Sequence, residues 1–182
     1  MKRAILGAPA LVPAALAELK DWLGITTVGE DAALSVQLRT ALESCEAFTG
    51  TMPIESDCEE IFAVSGDWMK LETRPVHAIT SVDAILASGS RVSLAAQAYA
   101  IDFAGDGTGM VRVTDPGLAA RIAVRFSAGL AGDWASLPDG LRHGVIRLAA
   151  HQYRQRETRD DEAMPPAAVA ALWRPWRRLR LT

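Results

Sequence analysis

The chain has 182 residues, 49% hydrophobic and 23% charged, which fits one domain with room for a sub-domain and excludes wholesale disorder. No apolar run approaches the roughly 20 residues that cross a bilayer. Two cysteines, Cys45 and Cys58, are too few for a disulfide scaffold and are read as reduced. The net charge of −3 hides an asymmetry: residues 1–138 hold 10 Lys+Arg against 17 Asp+Glu, giving −7, and residues 139–182 hold 9 against 5, giving +4. An acidic body with a basic, arginine-only tail implies that different surfaces meet different partners.

The opening MKRAILGAPALVPAALAELKDW imitates a signal peptide, with Lys2 and Arg3 ahead of an apolar stretch. Pro9 and Pro13 interrupt that stretch, and Leu16, Leu19 and Leu23 already belong to an amphipathic helix, so a cytoplasmic product is expected. The helix starts at Pro13 and ends near Gly24, with Trp22 also on its apolar face. A second helix over 31–49 carries Leu34, Leu38, Leu42, Cys45 and Phe48 at spacings of 4, 4, 3 and 3, and Gly50 closes it. Residues 1–58 therefore read as an N-terminal helical hairpin.

From 59 to 128 the period becomes strand-like, with Gly, Pro and Asp as punctuation. Strands are expected at 60–65, 68–73, 79–86, 91–95, 98–103 and 110–114. In a further strand Ile122, Val124 and Phe126 alternate with Arg121, Ala123 and Arg125. The connections are too short for crossover helices, which makes 59–128 an antiparallel β sub-domain. GDGTG at 105–109 is glycine-rich, but MVRV follows it where a phosphate loop needs a helix, so it reads as a hairpin turn.

Pro138 opens a long helix in SLPDGLRHGVIRLAAHQYRQRE. Leu141, Val145, Leu148 and Gln152 form one stripe, with Ile146, Ala150 and Tyr153 beside it. Residues 129–158 thus complete a helical core. The acidic RDDEAMPP begins a linker and assembly arm over 159–182, in which a short helix fits 166–173 before Pro175. The fold class is α+β: N-terminal helical hairpin, central antiparallel β sub-domain, long C-terminal helix and extended C-terminal arm.

No site chemistry emerges from these residues, and neither catalytic, cofactor-binding nor metal-binding residues are assigned. His143 and His151 are eight residues apart on one helix, about 12 Å, too far to chelate one ion. Asp102, Asp106 and Asp115 lack the oxygen spacing of a calcium loop. No nucleophile elbow or catalytic-cysteine context is present. His143, Arg147, His151 and Arg154 instead form a polar helix stripe, either a solvated face or an oligomer interface. In LWRPWRRLRL, Trp173 and Trp176 are surrounded by Arg174, Arg177, Arg178 and Arg180, the residue types most enriched at interface hot spots. Two other readings stand beside that one: both tryptophans fold back on the domain, or the arm binds nucleic acid.

The element order, together with LAELKDWLGI at 16–25, DAALSVQLRTALESCEAFTG at 31–50 and IAVRFSAGLAGDWASLPDGLRHGVIRLAAHQYRQRE at 122–157, resembles the head-tail connector, or adaptor, family of tailed phages and gene transfer agents. The resemblance implies a non-enzymatic subunit that assembles with itself as a ring of about a dozen copies beneath the portal protein. A tail-side connector or terminator protein lies below, and DNA passes through the central channel without sequence-specific binding. It also implies assembly in the cytoplasm, residence at the head-tail junction of the mature particle, no membrane, and a C-terminal segment that engages the portal. Trp173 and Trp176 are then the apolar anchors and the four arginines the charged contacts. The alternatives are a nucleic-acid-binding packaging or regulatory module and, behind it, a small hydrolase.

Overall fold

Among the described residues, Gly, Pro and Asp punctuation separates these strands and α-helices: β1 (Lys2–Gly7), α1 (Pro13–Leu23), α2 (Asp31–Thr49), β2 (Ser56–Ala63), β3 (Met69–Lys70), β4 (Val76–Ile85), β5 (Arg91–Ser93), β6 (Tyr99–Phe103), β7 (Gly109–Val113), β8 (Arg121–Ala128), α3 (Asp139–Gln155) and α4 (Ala167–Trp173). The structure, a computed structural model, describes residues 2–7, 13–117, 119–155 and 165–177. They form two compact units, one from β1 and Glu55–Leu130, the other from α1, α2, α4 and the α3 region after Ala131. The α+β class therefore holds.

In the β unit, five strands lie in the order β1-β2-β8-β4-β5 and three in the order β3-β7-β6, with antiparallel pairing throughout. Ile122, Val124 and Phe126 are buried, as their alternation requires, but Ala123 on the other face is buried too. A strand in mid-sheet can be covered on both sides. GDGTG does turn the β6–β7 hairpin: Ala104 and Thr108 pair across it, and Gly107 adopts φ +79°, where an added Cβ would lie 2.7 Å from Cβ of Pro75.

Residues 2–7 depart from the sequence reading, which gave them no strand. β1 pairs with β2 from Lys2↔Ile61 to Gly7↔Asp57, so this segment belongs to the β unit. A six-residue strand with only Ala4, Ile5 and Leu6 as apolar residues has no period of its own, and it is the partner strand that defines it.

In the helical unit α3 is central and touches α1, α2 and α4. Leu141, Gly144, Val145, Ile146, Leu148, Ala149 and Ala150 are all buried, too many for a helix with one covered stripe. α2 buries Leu34, Leu38, Ala41, Cys45 and Thr49, while Leu42 and Phe48, expected on the same face, are only half-buried. Gly50 ends α2 at φ +70° and its N–H donates to the Glu46 carbonyl. Before α3, Trp134 is buried and its indole N–H donates to the Glu18 carboxylate of α1 at 2.9 Å.

Candidate functional site

The α3 helix that carries the expected polar stripe packs against α4 and the turn that follows it. Gly140, Gly144, Arg147, His151 and Arg154 recur every three or four residues, so they share one face of α3. α4 and the 3₁₀ turn Arg174–Trp176 lie along that face. At the N-terminal half of the face the glycines leave room for rings. A Cβ on Gly144 would overlap the Trp173 indole, and one on Gly140 would stand 3.7 Å from Nε1 of Trp176.

This geometry separates the two tryptophans. Trp173 is fully buried, its indole N–H donates to the Leu141 carbonyl at 3.3 Å, and its ring tilts against Phe48 at 5.9 Å. It is a core residue of the helical unit, as the fold-back reading has it for this tryptophan, and its ring is not exposed as an apolar anchor. The reason is Gly144: without a side chain there, the α3 surface has an indole-sized slot. Trp176 keeps 36% exposure, and Arg174 and Arg177 are exposed, with the Arg177 guanidinium 5.3 Å over the Phe48 ring. Arg178 and Arg180 lie outside the described residues. A glycine pair inside a predicted helix was the available signal, because glycine costs helix stability and needs a packing reason.

At the C-terminal half, Arg147, His151 and Arg154 line a hollow of about 200 Å³, closed by Trp22 of α1 and by Pro166 and Val169 at the start of α4. Arg147 and His151 are half-buried and Arg154 is exposed. Among the described residues neither arginine has an acidic partner. His143, the fourth residue of the expected stripe, does not line the hollow and packs against the edge of Trp22 at 5.2 Å.

The β unit holds its own charged cluster, which the sequence reading did not single out. Glu59 is almost fully buried and faces Arg125 directly across β2 and β8. Arg91 reaches it with both terminal nitrogens, at 2.6 and 2.9 Å, and Arg125 adds Nε at 3.1 Å. The Arg91 hydrogen bonds, more than the Arg125 bond, hold the Glu59 carboxyl below its ordinary range despite burial. Glu60, also buried, accepts from the backbone N–H groups of Glu72 and Thr73 and from the Thr73 hydroxyl. These acids are bound to the protein's own groups, which makes them structural.

Comparison with known proteins finds no matching family model and no matching curated protein. Solved structures do match. A chain in the neck of a native gene transfer agent (GTA) particle, computed with C12 symmetry, is 27% identical with TM-score 0.78, over 100% of this chain and 98% of that one. A chain in the neck of the empty GTA particle, computed with C6 symmetry, is 27% identical with TM-score 0.77 over the same shares. A chain of the native GTA virion is 28% identical with TM-score 0.73.

The chain resembles a gene transfer agent neck protein over its whole length. The likeness to the neck protein therefore extends beyond 16–25, 31–50 and 122–157 to the β region, whose sequence was the least characteristic part. It agrees with the connector resemblance carried by those three segments.

Proposed function

We propose that this protein is a structural connector subunit of the neck of a gene transfer agent or phage-like particle, forming a ring beneath the portal, surrounding the DNA channel and docking the tail side. One observation carries the reading: an end-to-end match to a neck protein solved with twelvefold and sixfold symmetry. A cyclic ring needs a heterologous interface, in which two different patches of the same chain meet. The polar stripe of α3 supplies one such patch, with Arg147, His151 and Arg154 around the hollow and His143 beside it.

The acidic body fits a channel that DNA slides through, since each phosphate neutralised by Lys or Arg adds salt-dependent affinity and the −7 of residues 1–138 works against it. Portal docking falls to the exposed groups Trp176, Arg174 and Arg177, together with Arg178 and Arg180, which lie outside the described residues. Trp173 anchors the turn that carries Arg174 and Trp176. Assembly in the cytoplasm precedes incorporation at the head-tail junction.

The test is to mix the purified chain with the portal protein of the same particle and to measure mass by light scattering and shape by electron microscopy. Rings stacked on the portal are expected, and Trp176→Ala should weaken docking by at least about 2 kcal/mol if it is a hot spot. Portal assemblies that never recruit the chain, together with salt-dependent binding of the free chain to duplex DNA, would overturn the reading in favour of a nucleic-acid-binding module.

A further inference from the structure

The hollow on α3 has a composition that suits one class of occupant. Its volume of about 200 Å³ is below the roughly 300 to 1,000 Å³ of small-molecule and cofactor sites. It is large enough for one side chain. Arg147 and Arg154 stand two helical turns apart on the same face, with His151 between them and no acidic partner for either arginine among the described residues. A carboxylate entering there meets planar donors that bind it in bidentate fashion, close to apolar walls where charge-assisted bonds are stronger than in open water. Trp22, Pro166 and Val169 offer nothing to the hydration shell of a phosphodiester, whereas the methylenes of an entering glutamate would pack against them.

We propose that this hollow is a socket for an acidic side chain of the adjacent copy in the ring. The inference rests on the connector reading, because cyclic symmetry makes a socket on one side of each subunit match a plug on the other side of the next. The plug comes from residues 1–138, whose net charge of −7 complements the +4 of residues 139–182. Positive charge at the socket and negative charge at the plug set the register between neighbours and disfavour wrong pairings, which is the usual contribution of interfacial charge. DNA is the poorer occupant, since the same acidic region repels it.

The experiment uses the full chain assembled on portal, with a photo-crosslinking amino acid in place of Ala168 at the rim of the socket. Crosslinks to residues 1–138 of a second copy are expected. Crosslinks confined to the same chain, to portal or to DNA would overturn the socket. In parallel, Arg147→Glu with Arg154→Glu should lower ring formation at least about tenfold, with unchanged circular dichroism, while Arg39→Glu on the exposed face of α2 leaves it intact. If the double reversal fails to fold, Arg147→Gln with Arg154→Gln asks the same question with less repulsion. Rings that form normally from either double variant would refute the socket and leave the connector reading standing. A wild-type chain that forms no ring with portal would remove both.

Discussion

Replacing Trp173 by alanine tests whether the C-terminal end of the chain belongs to the helical core. The indole is fully buried, lies in the slot left by Gly144 and touches Phe48. Truncating a buried aromatic to alanine costs about 3–5 kcal/mol, and the 3.3 Å bond to the Leu141 carbonyl adds at most about 1 kcal/mol. At about 2–4 °C per kcal/mol for a chain of this size, the melting temperature should fall by roughly 6–24 °C. Trp176→Ala should cost only about 1 kcal/mol, since a partly exposed ring recovers little from burial. Gly144→Ala tests the same slot from the other side. Helix propensity favours alanine by up to about 1 kcal/mol, but its Cβ would overlap the indole, with ring carbons 2.8 and 2.9 Å away. Overpacking of that kind costs about 1–3 kcal/mol and wins. In the Trp173→Ala background the clash is gone and Gly144→Ala should turn stabilising, a reversal of sign that denaturant titration of the four proteins would reveal. Equal small losses for Trp173→Ala and Trp176→Ala, or a stabilising Gly144→Ala in the wild type, would refute the placement of Trp173 in the core.

Three other outcomes are expected. Leu38→Ala should destabilise by roughly 2–5 kcal/mol and Arg39→Ala by less than about 0.5 kcal/mol, because Leu38 is fully buried and Arg39 exposed; equal effects in denaturant titration would show that the buried face of α2 is wrong. Glu59, held below its ordinary value near 4.5 by Arg91 and Arg125, contributes stability that is present above that value and is lost as pH falls through its depressed folded value. Acid titration of Glu59→Gln should therefore lose less stability below about pH 4.5 than the wild type loses, and parallel curves would contradict the role given to the arginine pair. Cys45 is buried, which pushes its thiol up to about 12, so a thiol reagent at pH 8 should label it only in denaturant; rapid labelling of the native chain, mapped by peptide mass, would contradict its burial.

Much of the local structure was legible because it depends on short-range period and punctuation. Pro13 and Gly50 bound helices whose leucine spacing is unambiguous, and Pro138 precedes a helix that the structure begins at Asp139. The β6–β7 turn followed from the strand after GDGTG, since a phosphate loop needs a helix there. The connector resemblance was visible for the same reason, being carried by helix faces and one alternating strand.

What the sequence by itself determined is therefore the identity of most elements and the types of residue available for assembly: a polar stripe on α3 and a Trp/Arg-rich C-terminal end. Only the tertiary structure decided which of these meet. β1 is a strand because β2 lies beside it. Trp173 is core because α4 runs along the glycines of α3, whereas Trp176, three residues later, stays partly in water. His143 leaves the expected set and Trp22 joins it, since the hollow is defined by the helices that converge on it and not by one helix's own face. Periodicity places a side chain on a face, but whether that face is covered, and by what, depends on contacts between residues far apart in the chain.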